Sequence, residues 1–158
     1  VSDGPAATNS TRELLAALVG PWTGTYRLWL EPGAPRTEGP TTGTGRSVLD
    51  GRFVALDYDW VDMDGPQSGS MLLGCTDEGT WELAWVDTWH TGRSILFCQG
   101  GPAADVIGGW GPAEQRWGWR TRFDLVSPEQ LVITAWCVTP TGEETKATEA
   151  TYHRTGGG

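Results

Sequence analysis

From Pro21 to Arg154 the side chains alternate between apolar and polar, and turn signals cut the alternation into short runs: Glu31-Pro32-Gly33, Asp50-Gly51, Asp64-Gly65-Pro66, Glu78-Gly79, Thr91-Gly92, Gly111-Pro112, Ser127-Pro128 and Thr141-Gly142. A strand sends successive side chains to opposite faces, whereas a helix repeats about every 3.6 residues, so this stretch predicts strands joined by tight turns. The predicted spans are 21–30, 42–49, 52–62, 67–76, 80–89, 93–100, 104–110, 115–125, 130–138 and 144–154. Hairpin-length links make sequential strands antiparallel neighbours, and closing the sheet removes the two edges that an open sheet must protect. The expected fold class is all-β, a closed up-and-down antiparallel barrel of about ten strands with one short N-terminal helix.

That helix is predicted over 10–19. Ser10-Thr11-Arg12-Glu13 has the capping-box spacing, Leu14, Leu15 and Leu18 form an apolar stripe, and Gly20 can end the turn. Its expected place is at one end of the barrel. Residues 1–9, small and polar, read as a flexible arm, 10–154 as a single domain and 155–158 as a tail.

The net charge of −9 excludes the basic surfaces that bind nucleic acid or anionic lipid. No apolar run approaches the ~20 residues of a membrane span, and residues 1–10 lack the regions of a signal peptide, so a reducing cytoplasm is the expected compartment. Cys75, Cys98 and Cys137 are odd in number and far apart, which predicts buried free thiols.

The ten tryptophans concentrate on particular faces. Trp81, Leu83, Trp85, Asp87 and Trp89 share one face of the fifth predicted strand; Trp22, Gly24, Tyr26, Leu28 and Leu30 share a face of the first. Val54, Leu56, Tyr58 and Trp60 do so on the third, and Trp117, Trp119, Thr121, Phe123 and Leu125 on the eighth. Turned inward, these faces make an indole-lined chamber, with Tyr26, Tyr58, Trp60, Trp85, Trp89, Trp117 and Trp119 as candidate ligand-binding residues; the plainer reading is that the rings fill an ordinary core. Asp87 is the polar outlier of that set. Desolvation would favour its protonated form, making it a candidate general acid, and once ionised a base or cation anchor; the alternative is a strand-end carboxylate bonded to its neighbours. On the last strand either face can be inward: with Ala147 inward, Glu149 joins Asp87 as a second internal acid, and with Tyr152 inward it is solvated. His90, beside Thr91-Gly92, is a candidate proton carrier at the barrel mouth or an exposed loop residue. No metal-ligand cluster, nucleophile elbow, phosphate loop or dinucleotide fingerprint occurs, so no metal or cofactor is expected.

Gly20-Pro21-Trp22-Thr23-Gly24 after the Leu-rich turn resembles the start of calycin-type barrels, in which the tryptophan closes the barrel floor. Over about Leu14 to Arg154 the chain is similar to the bacterial family DUF1579, through Gly51-Arg52-Phe53, Trp85-Val86-Asp87-Thr88 before His90-Thr91-Gly92, Gly142-Glu143 with Lys146, and Glu149-Ala150-Thr151-Tyr152-His153-Arg154. The resemblance implies a lipocalin-like or nitrobindin-like barrel and no common activity. Nitrobindin-type relatives hold haem through a last-strand histidine, and Glu149 stands at that place here, which by analogy turns position 149 toward the cavity.

The leading expectation is a cytoplasmic bacterial barrel that binds an apolar, aromatic or polycyclic small molecule. The alternative is a cofactor-independent cyclase, isomerase or dehydratase of specialised metabolism, with Asp87, Glu149 and His90 as acid–base residues. A third reading is a haem protein using His153 or His90. The ligand, the reaction and the oligomeric state are not written in the sequence.

Overall fold

The computed structural model describes residues 4–156; residues 1–3 of the predicted arm and 157–158 of the predicted tail lie outside the described residues. Helix α1 (Gly4–Ala17) precedes ten strands: β1 (Gly20–Leu28), β2 (Thr37–Val48), β3 (Phe53–Asp62), β4 (Gly65–Cys75), β5 (Trp81–Asp87), β6 (Leu96–Gly100), β7 (Asp105–Trp110), β8 (Trp117–Ser127), β9 (Gln130–Val138) and β10 (Glu144–Arg154). They close into an antiparallel barrel in chain order, with β10 returning to pair with β1 from Trp22↔Arg154 to Leu28↔Thr148. The alternation therefore reports the architecture directly.

The differences have local causes. α1 starts at Gly4, six residues before the capping-box serine, because Pro5 is tolerated in a first helical turn and Ala6-Ala7 favour helix. β2 starts at Thr37 despite Gly39 and Pro40. Pro40 pairs with Thr25 on one side and precedes Thr41, where pairing with β3 begins, so its missing N–H leaves no gap in a two-sided ladder. β1 ends at Leu28, which leaves the expected core residue Leu30 64% exposed. Cys98 is buried, whereas Cys75 and Cys137 are only partly so.

One end of the barrel is closed by the end of α1. Leu15 and Leu18 enter the core beside Trp22, whose indole N–H donates to the Leu18 carbonyl at 3.0 Å. The last carbonyls of a helix have no partner within it. Here Arg154 supplies one, donating to the carbonyls of Val19 (2.5 Å) and Ala17 while its guanidinium covers the Trp22 ring at 4.3 Å.

Candidate functional site

Toward the opposite end, β5 stops at Asp87 rather than at residue 89, and the cause is Asp87 itself. Its Oδ1 accepts the backbone N–H of Trp89 (2.8 Å) and of His90 (3.1 Å), which turns the chain two residues after the strand. Thr91 ties the turn from both sides, accepting from the Asp87 amide (2.8 Å) and donating to its carbonyl (3.2 Å). Trp89 is consequently half-buried on the turn and not on the strand face where alternation put it.

The turn folds His90 back over the barrel interior. Its side chain is 7% exposed, and its Nδ1 stands 3.0 Å from Asp87 Oδ1. His90 is therefore not an exposed loop residue. Four indoles ring it, with centroids at 4.8 Å (Trp89), 5.3 Å (Trp85 and Trp119) and 5.9 Å (Trp60). Behind them Trp85 stacks on Trp119 at 5.2 Å and Tyr26 on Trp60 at 4.4 Å. Above the turn the Arg36 guanidinium covers Trp89 at 6.0 Å and pairs with Asp62, which also accepts from Thr37 at 2.5 Å.

The other carboxylate oxygen of Asp87 accepts the Tyr58 hydroxyl at 2.6 Å and the Trp60 indole N–H at 3.2 Å, and Trp85 donates to the Tyr58 oxygen at 2.8 Å. Gly69 permits this: it pairs with Tyr58 on one side and Asp87 on the other, and a Cβ at position 69 would stand 2.2 Å from the Tyr58 oxygen. The tyrosine thus crosses a whole strand to reach its acceptor.

The charge state of Asp87 differs from the sequence expectation. Burial pushes its carboxyl up, but the His90 ring, the Tyr58 hydroxyl and the Trp89 amide together hold it below its ordinary value. Asp87 is thus an anion that orders its surroundings, combining the inward placement with the bonded strand end. Burial beside that anion pushes the Tyr58 hydroxyl well up, so Tyr58 remains a donor. Arg36 foremost, with Thr37 and backbone amides, holds Asp62 far below the usual carboxylate range against the effect of its burial. Because both acids bind protons less readily folded than unfolded, they stabilise the fold above the ordinary carboxylate range and lose that contribution as pH falls through their depressed values. Urea unfolding is expected to show a lower midpoint at pH 3 than at pH 7, and Asp62→Asn to flatten the difference; equal slopes in the two proteins would exclude Asp62 as a source.

Glu149 does not join this group. A bulge in β10 between Lys146 and Thr148 buries Ala147 and Thr148 in succession, after which Ala150 and Tyr152 point inward and Glu149 outward. There it pairs with Lys146 (2.6 Å) and Arg27 (3.3 Å), so the analogy that turned it to the cavity fails. His153 is exposed on the same outer face. Trp117 is 38% exposed at the start of β8 and lines an open outer groove of about 850 Å³ with Leu72, Phe97 and Ile107, not the chamber. Tyr26, Tyr58, Trp60, Trp85 and Trp119 are all inward and buried.

The chamber itself is nearly full. Between Tyr26, Tyr58, Trp85, Trp119, Thr121 and Tyr152 a void of about 20 Å³ remains, room for about one water. Burial pushes the Tyr152 hydroxyl up to about 12, and it shares a hydrogen bond with Thr41 at 3.1 Å. That void as it stands has no room for a haem, since pockets for molecules of that class measure hundreds of Å³. Among the described residues no three His, Cys, Asp or Glu side chains group to hold a metal ion, and no helix is long and apolar enough to cross a membrane.

Sequence reasoning missed the roles of Arg36, Thr37 and Gly69, and it left His90 open between the barrel mouth, where it lies, and an exposed loop. Asp87-x-x-His90 after a strand was the available signal, since an aspartate that caps a turn through its side chain draws the next residues back toward itself.

Residues 7–154 match a family model described as "Protein of unknown function (DUF1579)". No curated protein matches. Among solved structures the fold is similar to Rv2717c from M. tuberculosis (16% identity over 92% of this chain and 97% of that one, TM-score 0.59). It is also similar to an S-type phycobiliprotein lyase from Guillardia theta (10%, 100% of both chains, 0.57) and to a redesigned beta barrel (16%, 89% and 94%, 0.50).

Proposed function

The chain belongs to the DUF1579 family, whose description assigns no activity, and we propose that this member binds a flat, apolar small molecule in the mouth half of its barrel. The fold by itself selects no function, since similar barrels include a lyase and a redesigned protein. The observation that carries the reading is the collection of indole faces around His90, at the end of the barrel that α1 leaves open. Indole faces stack on flat rings and tolerate many of them, whereas a core built only for stability fills as well with aliphatic side chains.

The described arrangement is then the closed form of the site. Trp89 is the half-buried member of the ring, held on a turn rather than in the sheet, and it is the group that gives way. A ligand of its own size takes its place against Trp60, Trp85 and Trp119. Titration with 2-methoxynaphthalene is expected to quench tryptophan fluorescence. Trp89→Ala, which removes the ring that must be displaced, is expected to bind the probe about tenfold more tightly, the equivalent of half-burying one large side chain. Trp119→Ala is expected to bind it more weakly. Absence of binding to the wild type and to Trp89→Ala would reduce the indoles to core filling.

A cofactor-independent acid–base enzyme is favoured, as a second reading, by the Asp87–His90 pair, in which a carboxylate orients an imidazole as in catalytic bases. Glu149 has no part in it. Under this reading His90→Gln lowers turnover of a co-purified substrate by about 10²–10⁴ while binding persists.

A further inference from the structure

One atom at the mouth has no partner. A carboxylate only accepts, so the contact of His90 Nδ1 with Asp87 places a ring hydrogen on Nδ1, and in the neutral imidazole this leaves a lone pair on Nε2. Nε2 is the one buried side-chain nitrogen or oxygen among the described residues that no described group satisfies. Three donors near it are committed elsewhere: the Tyr58 hydroxyl and the Trp60 N–H to Asp87, the Trp85 N–H to Tyr58. Folded proteins rarely leave such an acceptor unpaired, and here it is held in one tautomer and one orientation by the carboxylate behind it.

We propose that the ligand of this chamber is a phenol-like molecule, a flat aromatic body with a neutral O–H, and that this hydroxyl donates to His90 Nε2. The inference rests on the reading of the barrel as a binder and adds the polar half of the ligand. The indole walls receive the ring, and Nε2 receives the hydrogen. An anionic ligand is disfavoured, since a carboxylate has no hydrogen to give and would approach the Asp87 charge. Proton transfer is not required: the hydrogen stays on the ligand oxygen, shared with nitrogen.

Two probes of one shape isolate the contact. 2-Naphthol carries the donor, and 2-methoxynaphthalene has the same ring system without it. The wild type is expected to bind 2-naphthol about tenfold more tightly, the effect of one hydrogen bond to a buried acceptor. In His90→Phe, which keeps a ring and removes the acceptor, the two affinities are expected to converge. A second measurement needs no variant. In protein labelled with ¹⁵N-histidine only His90 and His153 contribute, and His153 is exposed. The free protein should show His90 with hydrogen on Nδ1, and its Nε2 resonance should move with 2-naphthol and stay with 2-methoxynaphthalene. Equal binding of the two probes with an unmoved Nε2 overturns the proposal while leaving an aromatic binder. Binding of neither probe overturns the binding reading, and this inference with it.

Discussion

Asp87→Ala is expected to lower the stability of the barrel by about 3–5 kcal/mol, the range for removing one partner of a buried, hydrogen-bonded charge. The side chain has no exposed area and collects five donors: the Tyr58 hydroxyl, the Trp60 indole, the His90 ring and the amides of Trp89 and His90. Removing it strands several of them in an apolar setting, where water does not readily replace the lost acceptor. For a chain of this size the thermal midpoint should fall by roughly 2–4 °C per kcal/mol. Asp87→Asn keeps the shape but turns an N–H₂ toward one set of donors, so its loss is expected to be smaller and still measurable. Urea unfolding checks both; wild-type stability in Asp87→Ala would mean that the cluster does not form in solution.

Gly69→Ala is the second large effect, and it strikes the same cluster from outside. The added methyl would stand 2.2 Å from the Tyr58 oxygen and 2.3 Å from its ring carbon, so the phenol must leave its path across β4. Overpacking of this kind costs about 1–3 kcal/mol. Loss of the charge-assisted Tyr58–Asp87 bond adds about 1.5–3 kcal/mol. The double variant Gly69→Ala, Tyr58→Phe separates the two parts: with the hydroxyl already gone, the glycine substitution should show only the packing loss. Equal effects of Gly69→Ala in both backgrounds would exclude a role for the hydroxyl.

The barrel was legible because period-two alternation is a property of each strand alone. Trp85, Tyr58 and Trp60 land inward from their own strands' patterns, needing no knowledge of their neighbours. Glu149 went the other way for the converse reason. The bulge beside Ala147 is a relation between β10 and β9, and one inserted residue reverses the face of everything after it. His90 was hidden by a tertiary fact, since only the bonds to Asp87 turn a loop histidine into a buried one. Gly69 was read as nothing in particular, because the value of a missing side chain lies in what crosses it.

The pairing of β1 with β10 also governs the order in which the molecule is made. Arg154 locks the helix end through a carbonyl 135 residues away, and β1 has no second neighbour until β10 arrives. On the ribosome, residues 20–138 can build a nine-stranded sheet that ends in two unpaired edges, β1 and β9, while the contacts that seal it await the final strand. Closure through contacts so distant in sequence is slow. A chain arrested before β10 is therefore not a smaller barrel but an open sheet that recruits other strands, which makes the last eleven residues of the ring the step at which synthesis divides between folding and aggregation.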